Sequence, residues 1–181
     1  MESTTESTAS SSIIALKYGF IHGIVCFLYT VIVDLMGWSF EFQEFIGWVS
    51  LIGFFVLIFI FSILCLFEFR SSNGGYISYG ESLGLTTLLG ALFGLINGGF
   101  NYIYLKFINI EYLSKNIEIA KDRFKDQSIS KSNLNQIEHL LIFINKPGFQ
   151  FFLLLLFYFV ITFLLGLIVS AIVKREKPIF D

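Results

Sequence analysis

Residues 45–67 form an apolar run that contains no charged side chain. This run restricts the fold more than any other feature, because a helix that crosses a membrane needs about 20 predominantly apolar residues. Across the whole chain, hydrophobic residues make up 55% and charged residues only 14%, whereas soluble domains carry about 25% charge. Both observations predict an integral membrane protein.

Three further apolar runs also have the length of a membrane span. We predict spans at residues 13–36, 45–67, 78–105 and 149–173. A cleaved signal peptide is the alternative for the first run, but its start has few basic residues and no small-x-small cleavage site follows it. The predicted fold class is therefore an all-α integral membrane protein with four transmembrane helices packed as a bundle.

The segments outside the spans are polar. Residues 1–12 are rich in Ser and Thr, which predicts a disordered tail, and residues 178–181 form a C-terminal tail. Residues 109–146 repeat apolar side chains at helical spacing among charged ones, which predicts an amphipathic helical link. We expect this link on the bilayer surface or across the end of the bundle. Residues 13–177 then form a single membrane domain.

The third span carries small and polar residues at alternating steps of four and three. In a bilayer, helices associate where small residues let their backbones approach, because lipid solvates apolar faces well. We therefore place this helix at the centre of the bundle, and we assign small residues of the first and fourth spans to the same packing seam. The predicted seam contains Gly19, Gly23, Gly80, Gly84, Thr87, Ala91, Gly94, Gly98 and Gly166.

The start of the third span has the pattern of a capping box. In Ser78-Tyr79-Gly80-Glu81, the Ser78 hydroxyl can accept from the backbone N–H of Glu81, and the Glu81 carboxylate from that of Ser78. Residues 80–84 also spell G-x-S-x-G, the nucleophile elbow of some hydrolases, which needs a strand, a sharp turn and a His base. We interpret this match as chance, because it falls in the first turns of a membrane helix.

Four polar residues within the spans are functional candidates, because ionisable and amide groups are costly to place in a membrane. They are His22, Asp34, Asn97 and Asn101. For His22 we favour a hydrogen-bonding or interfacial role over proton transfer or metal binding, since no second ligand stands at metal-binding spacing. For the asparagines we favour bonds between helices. The alternative is that they line a path for a small solute or a proton.

Several segments of the chain resemble a known family. They are Lys17-Tyr18-Gly19, Gly74-Gly75-Tyr76-Ile77-Ser78-Tyr79-Gly80-Glu81, Phe100-Asn101-Tyr102-Ile103-Tyr104-Leu105-Lys106-Phe107-Ile108 and Ala171-Ile172-Val173-Lys174-Arg175-Glu176-Lys177-Pro178. They resemble a bacterial membrane-protein family, domain of unknown function 4199, from about residue 17 to the C-terminus. Members often have Asp-Pro where this chain has Asn109-Ile110. The resemblance implies a four-span inner-membrane protein and implies no activity.

From these features we expect a non-enzymatic inner-membrane protein with a structural or accessory role, since no nucleophile–base pair or metal-ligand cluster is visible. The alternative is a small transporter or channel with a polar path near Asn97, Asn101 and His22. We expect no cofactor, and the net charge of −2 indicates no nucleic-acid partner. The expected partners are the lipid bilayer and either a second copy or an unidentified membrane protein. Termini in the cytoplasm would place five basic residues inside, and the opposite orientation, which stays open, would place seven. We favour cytoplasmic termini, because the seven are mixed with acidic residues and some lie far from any span.

Overall fold

The computed structural model describes residues 3–38, 43–125 and 131–177. The described residues include six α-helices, which are α1 (Ser3–Leu35), α2 (Gln43–Ser72), α3 (Tyr79–Ile103), α4 (Ile110–Lys125), α5 (Lys131–Ile144) and α6 (Pro147–Val173). A π-helical turn, Tyr104–Ile108, continues α3.

Four segments are long and apolar enough to cross a membrane. They are Ser11–Leu35, Glu44–Ser72, Tyr79–Ile108 and Pro147–Val173, and each overlaps one of the predicted spans. The predicted fold class, an all-α membrane bundle of four spanning helices, is therefore confirmed. Helices α4 and α5 occupy the link between the third and fourth spans, as the amphipathic pattern predicted.

The first helix begins earlier than the sequence suggested. Residues 3–12, which we predicted to be a disordered tail, form the first turns of α1. Lengthening an existing helix adds one hydrogen bond for each residue fixed and avoids the cost of a new nucleus. The stable span can therefore carry a polar extension. Met1, Glu2 and the predicted tail at residues 178–181 lie outside the described residues.

Helix α3 packs most extensively against α6, and there the two backbones touch. An added Cβ at Gly94 would lie 2.6 Å from the Cα of Leu155, and one at Gly90 would lie 2.6 Å from the Cβ of Thr162. An added Cβ at Gly98 would lie 3.0 Å from the ring of Phe151. Since real Cβ atoms do not approach other atoms as closely as 2.6 Å, Gly90 and Gly94 have no room for a side chain, and at Gly98 the ring of Phe151 would have to shift.

The row of α3 that faces α6 differs from the predicted one. It advances in steps of four residues and is buried throughout, and it consists of Ser82, Thr86, Gly90, Gly94 and Gly98. Gly80 and Gly84 are exposed instead, and no atom lies within 4 Å of an added Cβ. Thr87 and Ala91 are partly buried. Steps of four are typical of close small-xxx-small crossings.

The other predicted seam residues lie on the partners of α3. An added Cβ at Gly19 of α1 would lie 3.0 Å from the Cβ of Leu92, and one at Gly23 would overlap the side chain of Ile96. Gly166 of α6 lies against Thr86. Helix α3 is therefore packed between α1 and α6 at the centre of the bundle.

The link before α3 is held by local turns and by the segment after α6. Gly74 and Gly75 have φ angles of +68° and +86°, which favour glycine. Ser78 is the N-cap of α3, and the capping box with Glu81 is present. The backbones of Ile77 and Arg175 exchange two hydrogen bonds, of 2.9 and 2.8 Å. This pairing fixes the residues after α6 beside the start of α3.

Helices α4 and α5 contact each other through an ion pair. The Lys121 Nζ lies 2.5 Å from Oε1 of Glu138, and this hydrogen bond from the ammonium lowers the pKa of the Glu138 carboxyl. Residues 126–130, which join the two helices, lie outside the described residues.

Candidate functional site: a polar cleft beside the second helix

Helix α2 packs against the core along its second half. The buried residues of this helix are Ile58, Ser62, Cys65, Leu66 and Phe69. At the same end of the bundle, the Nζ of Lys17 in α1 lies 2.7 Å from the Glu68 carboxylate. In the first half of α2, no atom lies within 4 Å of an added Cβ at Gly47 or Gly53. Apart from Phe54, whose ring centroid lies 4.8 Å from that of Tyr158, the first half of α2 therefore stands away from the core and leaves a cleft.

The cleft contains two adjoining cavities. The outer cavity has a volume of about 370 Å³ and lies where α1 and the π-helical turn end. The inner cavity has a volume of about 570 Å³ and reaches toward the middle of the bundle. The two cavities share five of their lining residues, which are Tyr29, Thr30, Gly47, Ser50 and Asn101. Their volumes fall within the range of about 300–1,000 Å³ that is typical of small-molecule sites.

Asp34 is the central residue of the outer cavity. Its carboxylate oxygen Oδ2 accepts hydrogen bonds from the Tyr104 hydroxyl and from the side-chain amide of Asn109. The π-helical turn positions both donors, because its last hydrogen bond runs 2.9 Å from the Asn109 N–H to the Tyr104 carbonyl. Asn109 also accepts from the backbone N–H of Tyr112 at 3.0 Å, and so caps α4. Short π-helical segments are frequent at functional sites.

The charge of the cleft comes from Asp34. Among the described residues that line the two cavities, it alone carries a formal charge at neutral pH. The other polar groups are amides and hydroxyls, contributed by Asn97, Asn101, Asn116 and Gln150 and by side chains of Ser, Thr and Tyr. The polar groups of the cleft are therefore uncharged, except for one carboxylate near its outer end.

Polar side chains of different helices are hydrogen-bonded along the inner cavity. The side-chain amide of Asn97 donates to the Tyr158 hydroxyl at 2.6 Å. That hydroxyl in turn donates to Cys26 Sγ, at 3.8 Å. Nearer the outer end, the Tyr29 hydroxyl and the Ser50 hydroxyl lie 2.8 Å apart. These contacts join α3 to α6 and α1 to α2 across the cleft.

His22 lies behind the inner cavity rather than in it. Its side chain is fully buried, with Nε2 3.6 Å from Cys26 Sγ. The imidazole stacks on Phe93 at a centroid distance of 3.9 Å, and the rings of Phe61 and Tyr158 meet it edge-on at 5.5 Å. This aromatic cluster closes the cleft at its inner end.

The structure thus brings together three of the four polar candidates. Asp34 lines the outer cavity, Asn97 the inner one and Asn101 both, while His22 stays outside. The capping residues Ser78 and Glu81 lie at the opposite end of the bundle, where α3 begins.

Sequence reasoning missed Tyr104, which donates to Asp34 in the outer cavity, and Tyr158, which accepts from Asn97 in the inner one. A usable signal was present, because a tyrosine inside an apolar span carries a hydroxyl that needs a partner when it is buried. For metal binding, the described residues contain no cluster of three or more His, Cys, Asp or Glu side chains.

Comparisons with known proteins identify the family. Neither the curated proteins nor the solved structures contain a match to this chain. The model of one family, described as a protein of unknown function (DUF4199), matches residues 17–175. That match covers most of the first span, the other three spans and the residues that line the cleft. The chain therefore belongs to the DUF4199 family.

Proposed function

We propose that this protein is a non-enzymatic, multi-pass inner-membrane protein that binds a small molecule in the cleft beside α2. The observation that carries the proposal is the polar lining of this cleft within helices long enough to span a bilayer. Lipid tails offer no hydrogen bonds to the Asn101 amide or to the groups of Asn97 that its bond to Tyr158 leaves over, and unsatisfied polar groups in an apolar medium are costly. Water or a polar ligand in the cleft would satisfy them.

The closed inner end favours binding over conduction. The cluster of His22, Phe61, Phe93 and Tyr158 lies between the inner cavity and the other end of the bundle. A solute would have to displace these packed rings to pass through. In this state the cleft is therefore closed toward the other end of the bundle.

A transporter is the second candidate, because Asn97 and Asn101 line the cleft as a polar path would require. It would need a second state, in which the aromatic cluster repacks and opens the inner cavity toward the start of α3. Alternating access of this kind is how secondary transporters move a solute past a central site.

The same architecture supports an accessory role. The outward faces of α2 and α6 carry large apolar side chains, such as Trp48, Phe152 and Ile168. These faces would meet bilayer lipid, a second copy of the chain or another membrane protein. We place the termini in the cytoplasm, from the basic residues at the span ends. In this role, a ligand bound between α1 and α2 would change the position of α2. A partner protein in contact with α2 would respond to that change.

Cysteine accessibility tests the cleft directly. In a background that carries Cys26→Ala and Cys65→Ala, the variants Ser50→Cys and Asn101→Cys place a thiol in the cleft. Ser62→Cys is the matched control, because Ser62 also lies on α2 but is 1% exposed. In native membranes, we expect N-ethylmaleimide to label the two cleft thiols at least tenfold faster than the control. Equal rates at all three positions would refute the proposal.

Sidedness separates binding from transport. A membrane-impermeant maleimide applied to vesicles of either orientation should label Asn101→Cys from one side. Labelling of this thiol from both sides would favour the transporter, since it would require a state that opens at the other end.

A further inference from the structure

We propose that the ligand of the cleft is an amphipathic organic cation, with its ammonium group beside Asp34 and its apolar part in the inner cavity. This inference rests on the proposed function and specifies the class of molecule that the same site takes.

The first observation is a carboxylate without a cationic partner. The ion pairs formed among the described residues do not include Asp34. Both of its hydrogen-bond donors reach Oδ2, and within the described part of the chain no donor reaches Oδ1. A carboxylate in a partly buried site is stable when a positive charge lies near it. An ammonium group in the outer cavity would supply that charge.

The second observation is the position of Asp34 along its helix. It lies in the last turn of α1, which ends at Leu35. The C-terminal end of a helix carries a partial negative charge and disfavours a carboxylate, but it stabilises a cation. Where a sequence violates such a local rule, the position is often functional. A bound ammonium group would interact favourably with both the carboxylate and the helix end.

The third observation is the set of groups around the outer cavity. Asn101, Asn116 and Gln150 present amide oxygens, and Thr30 presents a hydroxyl. These are acceptors for the N–H groups of an ammonium ion, and Tyr112, which also lines this cavity, is a residue type that makes cation–π contacts. An anionic head group would instead meet Asp34, and the described residues that line the two cavities include no Lys or Arg, which disfavours carboxylates and phosphates.

The fourth observation is the shape and character of the inner cavity. Its wall between α1, α2 and α6 includes apolar side chains such as Val25, Leu57 and Phe157. Asp34 and Cys26, which mark the two ends, are separated by about 12 Å along α1 at 1.5 Å per residue. A molecule with a charged end and an apolar body of about that length would extend from the outer cavity into the inner one.

The test uses three probes that share one apolar body. They are 4-phenylbutylamine, which is a cation at neutral pH, the neutral 4-phenylbutan-1-ol, and the anion 4-phenylbutanoate. Binding to the full-length protein in lipid nanodiscs would be measured by titration calorimetry, together with protection of Ser50→Cys from N-ethylmaleimide. We expect the amine to bind at least tenfold more tightly than the alcohol and to slow labelling at least fivefold, and the acid to do neither.

Charge removal at Asp34 completes the test. Asp34→Asn keeps an oxygen that accepts from Tyr104 and removes the charge, so the affinity for the amine should fall at least tenfold. Glu44→Gln is the matched control, because Glu44 is an exposed carboxylate in the first turn of α2 that does not line either cavity. The affinity of Glu44→Gln for the amine should stay within twofold of the wild-type value. The amine-to-alcohol ratio is measured on the unmodified protein and does not depend on how the variants fold.

The outcomes distinguish this inference from the proposed function. Equal binding of amine and alcohol, or an unchanged amine affinity in Asp34→Asn, would overturn the cation while leaving the cleft in place. If none of the three probes slowed the labelling of Ser50→Cys, the cation would likewise be overturned and the cleft would remain. Failure of the thiol to be labelled at all would overturn the accessible cleft and the cation together.

Discussion

Replacement of Gly94 by alanine tests the direct contact between α3 and α6. The added methyl carbon would lie 2.6 Å from the Cα of Leu155 and 2.9 Å from its carbonyl oxygen. Carbon atoms in contact are normally about 3.5–4.0 Å apart, so the two backbones would have to separate by about 1 Å. Because both obstructing atoms belong to the backbone, no change of rotamer can relieve the overlap.

The expected cost follows from two opposing effects. Overpacking in a well-packed interior costs about 1–3 kcal/mol, whereas alanine is favoured over glycine inside a helix by about 0.5–1 kcal/mol. The separation would also loosen the contacts of Gly90 and Gly98 along the same row. We therefore expect a net loss of about 1–2 kcal/mol in the free energy of unfolding, and a larger loss for Gly94→Leu.

Gly84→Ala is the matched control on the same helix. Gly84 is exposed, and an added Cβ there meets no atom within 4 Å. Its free energy of unfolding should be unchanged or higher by up to about 1 kcal/mol. Both values would be measured by titrating SDS into the purified proteins in detergent micelles and following the far-UV circular dichroism. If Gly94→Ala were as stable as Gly84→Ala, the close approach of α3 and α6 would be refuted.

Three further predictions concern single contacts. Asn97→Leu removes the donor to the Tyr158 hydroxyl and should lower the free energy of unfolding in the same SDS titration by about 0.6–2 kcal/mol; no change would show that this bond contributes nothing. Ser78→Ala removes the N-cap of α3 and should cost about 1 kcal/mol, seen as a lower thermal midpoint. Since Lys121 lowers the pKa of Glu138 below its ordinary 4.5, the ion pair stabilises the contact of α4 and α5 above that pH and loses this effect as the pH falls through the lower folded value. Near neutral pH, the α5 amides of the wild type should therefore be better protected from hydrogen exchange than those of Glu138→Gln, and in strong acid the two proteins should be equally protected. A difference in protection that persists in acid would contradict the assignment of this ion pair.

Local features of the fold could be predicted from the sequence because they depend on neighbouring residues. The four spans follow from apolar runs longer than the bilayer requires. The capping box of Ser78 and Glu81 also involves residues only three positions apart. The extension of α1 to Ser3 was missed, because composition alone does not show that a stable span can carry polar turns.

The packing seam could be predicted in part. Glycines recur in α3 along two overlapping rows, one through Gly80 and Gly84 and one through Gly90, and both rows include Gly94 and Gly98. The choice between the rows depends on the surface of α6, where Phe151, Leu155 and Thr162 contact the glycines of α3. No periodicity within α3 contains that information.

The cleft could not be predicted from spacing. Asp34 is separated from Tyr104 by 70 residues and from Asn109 by 75, and the conversion of α3 to a π-helical turn is what brings these donors to it. The sequence identified Asp34, Asn97 and Asn101 as individual candidates. Their common cavity exists because the first half of α2 stands away from the core, which is a property of four helices together.

The backbone pairing of Ile77 with Arg175 implies an order of events during biosynthesis. The ribosome completes α1, α2 and α3 well before it makes α6 and Arg175. During that interval the glycine face of α3 has no α6 to contact, so lipid or an assisting protein must cover it. The last span would then insert beside three helices already in the bilayer, and the bundle would reach its final packing only when Arg175 pairs with Ile77.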